Sequence, residues 1–376
     1  MKAVCICFEV HLPLPTRWYW PLEGYTIPEM DTYFDVKRSL NNYSKLKSNL
    51  QVINDAIDDS IERGGKYTFD ISGIFIEQCK WAPEAMDSFR SLAEKGAHFA
   101  ASPYYHSTCS LFPDLQEFKE QVQMHMRTIE HEFGVKPLTF VNSELLLEQR
   151  SMEIIKEMGF KCVISEGSQN LLNGLHPAHV YYNTVPTMLR HINLSEDIEK
   201  LFSDKKWPGY PLIADKFATW ISNMNGDVTT LYIKYDALNS HLENGEKIIT
   251  FLRKLPECLD AHGIEMLYPE EAVERFKKEE MPSLSSKKTA RYGMHNLIGN
   301  HAQHLYMHEL VNIGKQIQNI KPENKDKMQA LYRYLQQSEI FLEMKNDAYY
   351  GHGYEKAVNN FSIMSDIKRA LLEEVQ

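Results

Sequence analysis

The chain has 376 residues, 43% hydrophobic and 24% charged, enough for one large domain and a smaller one. A formal charge of −10 argues against nucleic-acid or anionic-membrane partners, which want clustered Lys and Arg. No window approaches the roughly 18 consecutive apolar residues of a membrane span.

The N-terminal apolar run is broken at Glu9 and lacks a small-residue cleavage site, so it reads as a first strand, Val4–Val10, and not as a signal peptide. Further strand-like runs follow at Thr68–Ile74, Ala97–Ala101, Leu138–Val141, Lys161–Ser165, Thr187–His191 and Thr229–Lys234. Helical patterns lie between them at Ser44–Arg63, Ala85–Lys95, Leu115–Phe133, Glu148–Met158, Leu212–Ser222 and Glu246–Cys258. This alternation predicts an α/β fold: a parallel sheet with crossover helices, long enough to form a barrel. Its chemistry would sit at the C-terminal ends of the strands. The six cysteines (5, 7, 79, 109, 162, 258) contain no C-x-x-C pair and read as reduced thiols in a cytoplasmic protein.

Near Lys277 the pattern changes. Residues 277–288 form a polar stretch with a proline and three serines, read as a linker. Three helical stretches follow, about Leu297–Ile317, Asn324–Met344 and Tyr354–Val375. The expected division is a barrel over 1–278 and a helical bundle over 279–376.

Five segments carry candidate chemistry. Val10-His11-Leu-Pro13 closes the first strand, where His11 is either a structural histidine in a turn or a ring nitrogen free to hydrogen-bond a ligand hydroxyl. Trp18 and Trp20 after it offer flat apolar faces to a ligand or, alternatively, seal the barrel as a hydrophobic loop. Ser102-Pro-Tyr-Tyr-His106-Ser107 supplies two tyrosines (Tyr104, Tyr105) and His106, with donors, acceptors and stacking surface together. Phe140-Val-Asn-Ser-Glu144-Leu145 presents a carboxylate at a strand end. A stretch from Leu189 to Asp215 contains Arg190, with Ser195 a candidate helix cap and Glu196 and Asp197 in the first turn after it. The last segment, Leu231-Tyr-Ile-Lys-Tyr-Asp-Ala-Leu-Asn-Ser-His241, carries Lys234, Asp236 and His241.

Together these segments resemble glycoside hydrolase family 57, the retaining α-amylase and α-glucanotransferase family. The corresponding family stretches read H-Q-P, P-Y-Y-H-S, F-R-N-T-E-L, Y-P-L-x-A-D and F-M-D-Y-E-T-F-G-E-H. The resemblance extends into the tail, where Gly299-Asn300 and Leu335-Gln-Gln-Ser-Glu339 match G-N and L-Q-x-S-D, although the family's S-W-A-D is replaced by Ser286-Lys-Lys-Thr289. It implies an incomplete parallel (β/α)7 barrel with a C-terminal helical bundle, and an α-1,4-glucan or malto-oligosaccharide ligand. Glu144 is then the nucleophile, and His11, Trp18, Trp20, Tyr104, Tyr105, His106, Arg190 and His241 bind substrate. Lys234 stands where the family has its acid/base Asp, and lysine is a poor acid toward an ether oxygen. Asp236 faces the same way if the strand continues, which makes it a candidate substitute acid/base. It would have to shift toward the glycosidic oxygen, and lost hydrolysis is the favoured reading. Two readings follow: a retaining α-amylase-like protein of reduced activity, or a noncatalytic glucan-binding relative. No cofactor and no metal are expected. His301, His304 and His308 share one face of a helix, but no further ligand stands at suitable spacing.

Overall fold

Two kinds of side chain alternate along Lys2–Val10 (β1), and the alternation builds the barrel. Val4, Ile6, Phe8 and Val10 pack outward against helices, while Ala3, Cys5, Cys7 and Glu9 point inward. The other strands of this computed structural model are Tyr67–Ile71 (β2), His98–Phe99 (β3), Thr139–Val141 (β4), Cys162–Glu166 (β5), Val180–Tyr182 (β6), Pro186–Arg190 (β7), Val228–Lys234 (β8), Ile264–Met266 (β9) and Lys278–Glu280 (β10). The structure describes residues 2–20, 29–245, 247–281, 288–345 and 352–375.

β1 lies parallel to β2 on one side and to β8 on the other; β2 continues to β3, and β4, β5 and β7 pair in parallel. A parallel bridge between Ala101 and Phe140 joins the end of β3 to β4, and a single pair, Arg190 with Thr230, joins β7 to β8. The ring β1-β2-β3-β4-β5-β7-β8 is therefore a nearly closed parallel barrel of seven strands, as the alternation predicts. β6 runs antiparallel to β7 and carries β10, and β9 pairs with the start of β1. Because β10 occupies Lys278–Glu280, the polar stretch begins as a strand; residues 282–287 of it lie outside the described residues.

The interior is layered. Ala3, Cys5, Cys162, Met188 and Val228 fill the lower level, and Cys7, Ala100, Val141, Ile164 and Tyr232 the next. All six cysteines are unbridged, and Cys258 alone is not fully buried. Above them the same inward alternation places charged residues: Glu9, Asp70, Glu166, Arg190 and Lys234. Parallel register sets Glu9 beside both Asp70 and Lys234, and Glu166 beside Arg190.

β2 ends earlier than the sequence run implies, at Ile71. The Ser72 hydroxyl accepts from the Phe75 amide and caps a new helix, Gly73–Gln78. The tail helices also break where sequence periodicity runs on. Helices His295–Ile298 and His301–Ile317 replace the first stretch, and Pro322–Tyr334 and Ser338–Glu343 replace the second. The second break is built: the Gln337 amide donates to the Leu14 and Tyr334 carbonyls and accepts from the Leu14 amide. The Gln336 carbonyl accepts from the Thr108 amide. One apolar cluster runs from Tyr104, Phe118 and Phe140 in the barrel to Tyr306, Phe341 and Ile367 in the tail, so the helices sit on the barrel mouth.

Two substitutions test this packing. A Cβ on Gly73 would lie 2.5 Å from ring carbons of Tyr104, a core ring with no room to move. Gly73→Ala should therefore cost about 1–3 kcal/mol in chemical denaturation. Asp70 is the second. Burial pushes its carboxyl up to about 6, only partly offset by the Tyr232 hydroxyl donating at 2.7 Å. A raised carboxyl favours the fold below the unfolded value near 4, and that contribution is lost as pH rises through about 6. Asp70→Asn, which keeps the acceptor without the charge, should raise stability by about 2–3 kcal/mol near pH 8. The gain should vanish in melts near pH 4.

Candidate active site

The charged level of the barrel is closed from above by the tail, and the two meet in one buried network. Glu9 is 4% exposed, and the Arg291 guanidinium, 1% exposed, donates to it through Nη1 at 2.7 Å. His106 Nε2 lies 3.1 Å from the other Glu9 oxygen, and Lys234 Nζ approaches Glu9 to 4.0 Å. Burial alone would raise the Glu9 carboxyl; Arg291, Lys234 and His106 outweigh it and hold it well below the usual carboxylate range.

On the opposite side stands Glu339. Its Oε1 is 3.1 Å from His11 Nε2 and 3.2 Å from His106 Nδ1, and the two imidazoles stack at 4.0 Å. Burial opposes the His106 charge, but Glu339 and Glu9 flank the ring and raise it well above the usual histidine value. His11, bonded to the Ser72 hydroxyl at 2.8 Å, is lowered by burial. Glu339, despite burial, is held well below its usual range by the two histidines.

Glu144 completes the arrangement. The chain leaves β4, and Glu144 and Leu145 both adopt left-handed backbone angles, φ 52° and 53°. Such a conformation costs of order 1–3 kcal/mol for a side-chain-bearing residue and persists only where the surroundings enforce it. The Arg291 amide donates to the Glu144 carbonyl at 2.7 Å, and the Ser165 hydroxyl donates to that of Leu145. An antiparallel bridge ties Leu147 to Thr289. The Glu144 carboxylate, 3% exposed, accepts from the Ser338 hydroxyl at 3.3 Å. An oxygen of Glu144, one of Glu9 and a nitrogen of His106 lie within 4.8 Å of one another. Burial works against the Lys234 ammonium, yet Glu9 and Glu144 outweigh it and raise it above the usual lysine range.

His11, His106, Glu144 and Lys234 thus converge. Other candidates are placed elsewhere. Asp236 is a correction: β8 ends at Lys234 and a helix, Tyr235–Glu243, begins at once, so Asp236 lies exposed in its first turn and not on the strand face. Arg190 is spent structurally, donating to the Tyr232 carbonyl and pairing with Glu199 at 2.7 Å and Glu166 at 3.4 Å. His241 bonds the Ser203 hydroxyl and the Ile198 carbonyl. Tyr104 and Tyr105 are buried; the first donates to Glu77 at 3.0 Å and the second packs edge-on against Tyr334. Trp18 and Trp20 meet edge to face, 51% and 70% exposed. Glu9, Arg291, Ser338 and Glu339 are members that sequence reasoning did not select. An acid within an apolar strand and the Ser-Glu of the matched tail segment were the available signals.

Comparison with known proteins agrees with this architecture. Residues 5–285 match the sequence profile described as Glycosyl hydrolase family 57. A Methanocaldococcus jannaschii protein named "Putative alpha-amylase" is 31% identical over 350 residues, 88% of this chain and 74% of its own. Among solved structures, a GH57-type branching enzyme from Pyrococcus horikoshii superposes with a TM-score of 0.73 at 10% identity, over 98% of this chain and 90% of that one. The 4-α-glucanotransferase from Thermococcus litoralis gives 0.66 at 12% identity, over 98% of this chain and 60% of its own. Fold, sequence profile and curated relative converge: the chain belongs to glycosyl hydrolase family 57.

Proposed function

We propose that this protein binds α-1,4-glucan or malto-oligosaccharide at the barrel mouth and retains the nucleophile of a retaining glycosidase, with hydrolysis suppressed for want of a proton donor. The observation that carries this reading is Lys234, an ammonium 4.0 Å from Glu9 and within the field of Glu144, at the place where the retaining mechanism wants a protonated carboxyl. Retaining hydrolysis needs two carboxyl groups about 5–5.5 Å apart, one attacking and one protonating the leaving oxygen. Glu144 suits the first role. Its buried position and, among the described residues, a hydroxyl donor on only one carboxylate oxygen leave the other oxygen available for attack on an anomeric carbon.

For the second role the neighbours fail on physical grounds. Glu9 lies close enough, but its pairing with Arg291 and His106 keeps it ionised. Asp236 is out in the following helix. Lys234, raised above an already high value, gives up its proton too reluctantly to assist an ether oxygen. Six unbridged thiols fit a reducing, cytoplasmic setting. Among the described residues no helix is long and apolar enough to cross a membrane.

Calorimetric titration with maltoheptaose should show binding, while product analysis shows turnover at least ~10²-fold below that of a two-carboxylate enzyme, the usual contribution of a general acid. Lys234→Asp should raise turnover by a similar ~10²-fold, because an acid beside Glu9 and Glu144 is pushed toward the protonated form. The added Glu144→Gln change should abolish the gain. Rapid wild-type cleavage that is insensitive to Glu144→Gln would sink the proposal.

A further inference from the structure

Resting on the glucan-binding reading above, we propose that Tyr292 is a sugar-stacking platform at the barrel mouth. It would hold one pyranose ring of the glucan on the rim next to the ends of β7 and β8. The first observation is conformational. Among the described residues, five other than glycine adopt left-handed backbone angles: His106, Glu144, Leu145, Asn173 and Tyr292. Asparagine and histidine are enriched in this region, whereas a bulky aromatic is an outlier there. His106, Glu144 and Leu145 belong to the buried network already described. Tyr292, at φ 59°, adjoins that network through its neighbour Arg291.

The turn that carries Tyr292 calls for a smaller residue. The Gly293 amide donates to the Ala290 carbonyl at 2.9 Å, so Arg291 and Tyr292 are the two central residues of a tight turn. Tyr292 stands at the third position with positive φ, which such turns ordinarily give to glycine or asparagine. Its carbonyl accepts from the Asn296 side-chain amide at 2.9 Å, which helps to hold the conformation. Packing does not account for the side chain, because it is 46% exposed. Strain of this kind, with no burial to offset it, concentrates at ligand-binding positions.

The neighbours set the ring on the rim of the site. Arg291 turns inward to Glu9, and its amide holds the Glu144 carbonyl, so the chain leaves the network at residue 292. The wide helical turn Asp197–Leu201 after β7 meets it from the other side with two consecutive residues. Glu199 accepts from the Lys234 amide at 2.7 Å, and Lys200 sets its ammonium 4.4 Å from the centre of the Tyr292 ring. Glu196 holds that ammonium at 2.8 Å, and the cation–π contact orients the ring. With one face under Lys200, the exposure of the side chain falls on the rest of the ring, the opposite face included. An aromatic face is electron-rich, and the C–H face of a pyranose is flat, apolar and weakly positive, so the two pack while the sugar hydroxyls point outward. Tyr292 is thus tied to Glu144 through Arg291 and to Lys234 through Glu199 and Lys200, which makes its free face a subsite adjoining those two groups.

The test titrates maltoheptaose calorimetrically into the full chain and its Tyr292 variants, and records the melting temperature of each. Tyr292→Phe keeps the ring and should bind within about 3-fold of the wild type. Tyr292→Gly removes the ring and should weaken binding by about 10-fold, the worth of one aromatic contact with its buried area. The same change relieves the left-handed backbone, so the melting temperature should hold level or rise by about 1–2 °C. Affinity lost at undiminished stability is the signature of a ligand contact, which a scaffold role does not produce. Unchanged binding by Tyr292→Gly overturns this inference and leaves the functional reading standing, as does a weakened affinity that comes with a melting temperature several degrees lower. A wild-type chain that binds no maltoheptaose overturns both.

Discussion

Glu9 is a carboxylate on the inner face of a barrel strand, and burying such a charge unpaired costs several kcal/mol even after relaxation. Its main compensation arrives from the far end of the chain: Arg291, 282 residues away, donates at 2.7 Å. The Arg291 backbone amide meanwhile holds the Glu144 carbonyl, so one residue both neutralises the first strand and enforces the left-handed turn that presents the Glu144 side chain. Two links of the chain of causation, barrel stability and site geometry, therefore depend on the same ion pair. Removing Arg291 would leave Glu9 desolvated and release the turn together, which makes the pair a constraint on fold and chemistry alike.

Around that pair the charges balance. Glu9, Glu144 and Glu339 face Arg291, Lys234 and His106. Balance has a chemical consequence. A general acid needs a carboxyl whose charge is disfavoured by its surroundings, by burial or by a like-charged neighbour. In this site Glu9 and Glu339 each have a cation within reach and are driven toward ionisation, whereas Asp70, beside Glu9 in the sheet, is raised to about 6 by burial and held by the Tyr232 hydroxyl. A lysine in place of an acid at position 234 removes, on the proposed reading, a proton donor and adds a cation that favours the ionised form of Glu9 and Glu144. On the proposed reading, the arrangement favours gripping a polyol over breaking it.

The barrel was legible because parallel strands buried on both faces leave short apolar runs bounded by helical periodicity. β1, β4, β5, β7 and β8 fall within or close to the runs that the sequence marks. His11, His106, Glu144 and Lys234 were legible for a related reason: each follows a strand, and barrel topology gathers strand ends. What escaped was tertiary. Glu9 sits inside a run that reads as core, and its charge is intelligible only once Arg291 is opposite. Arg291 itself follows a polar stretch with no periodicity to mark it. Asp236 was misplaced because β8 converts to helix at Tyr235 without a glycine, a proline or a capping side chain to announce the change. Tyr104 and Tyr105 have the hydroxyls expected of a sugar subsite, yet both are buried, and Glu77 takes the Tyr104 hydroxyl for the scaffold.

The break in the tail at 335–337 shows why a helical appendage cannot be treated as separate from the chemistry beneath it. A continuous helix from 322 to 344 would satisfy local propensity, yet Gln336 and Gln337 leave it and bond to the barrel domain through Leu14, Thr108 and the helical Gln121. The return is the placement of the next two side chains. Ser338 reaches both His106 at 3.0 Å and Glu144 at 3.3 Å, and Glu339 reaches both histidines. Backbone bonds lost from the helix are thus recovered against the barrel, as buried amides require. The residues so positioned connect the nucleophile candidate to the histidine pair. The mouth of this barrel is assembled from strand ends below and a deliberate helix interruption above, and neither half holds its charges without the other.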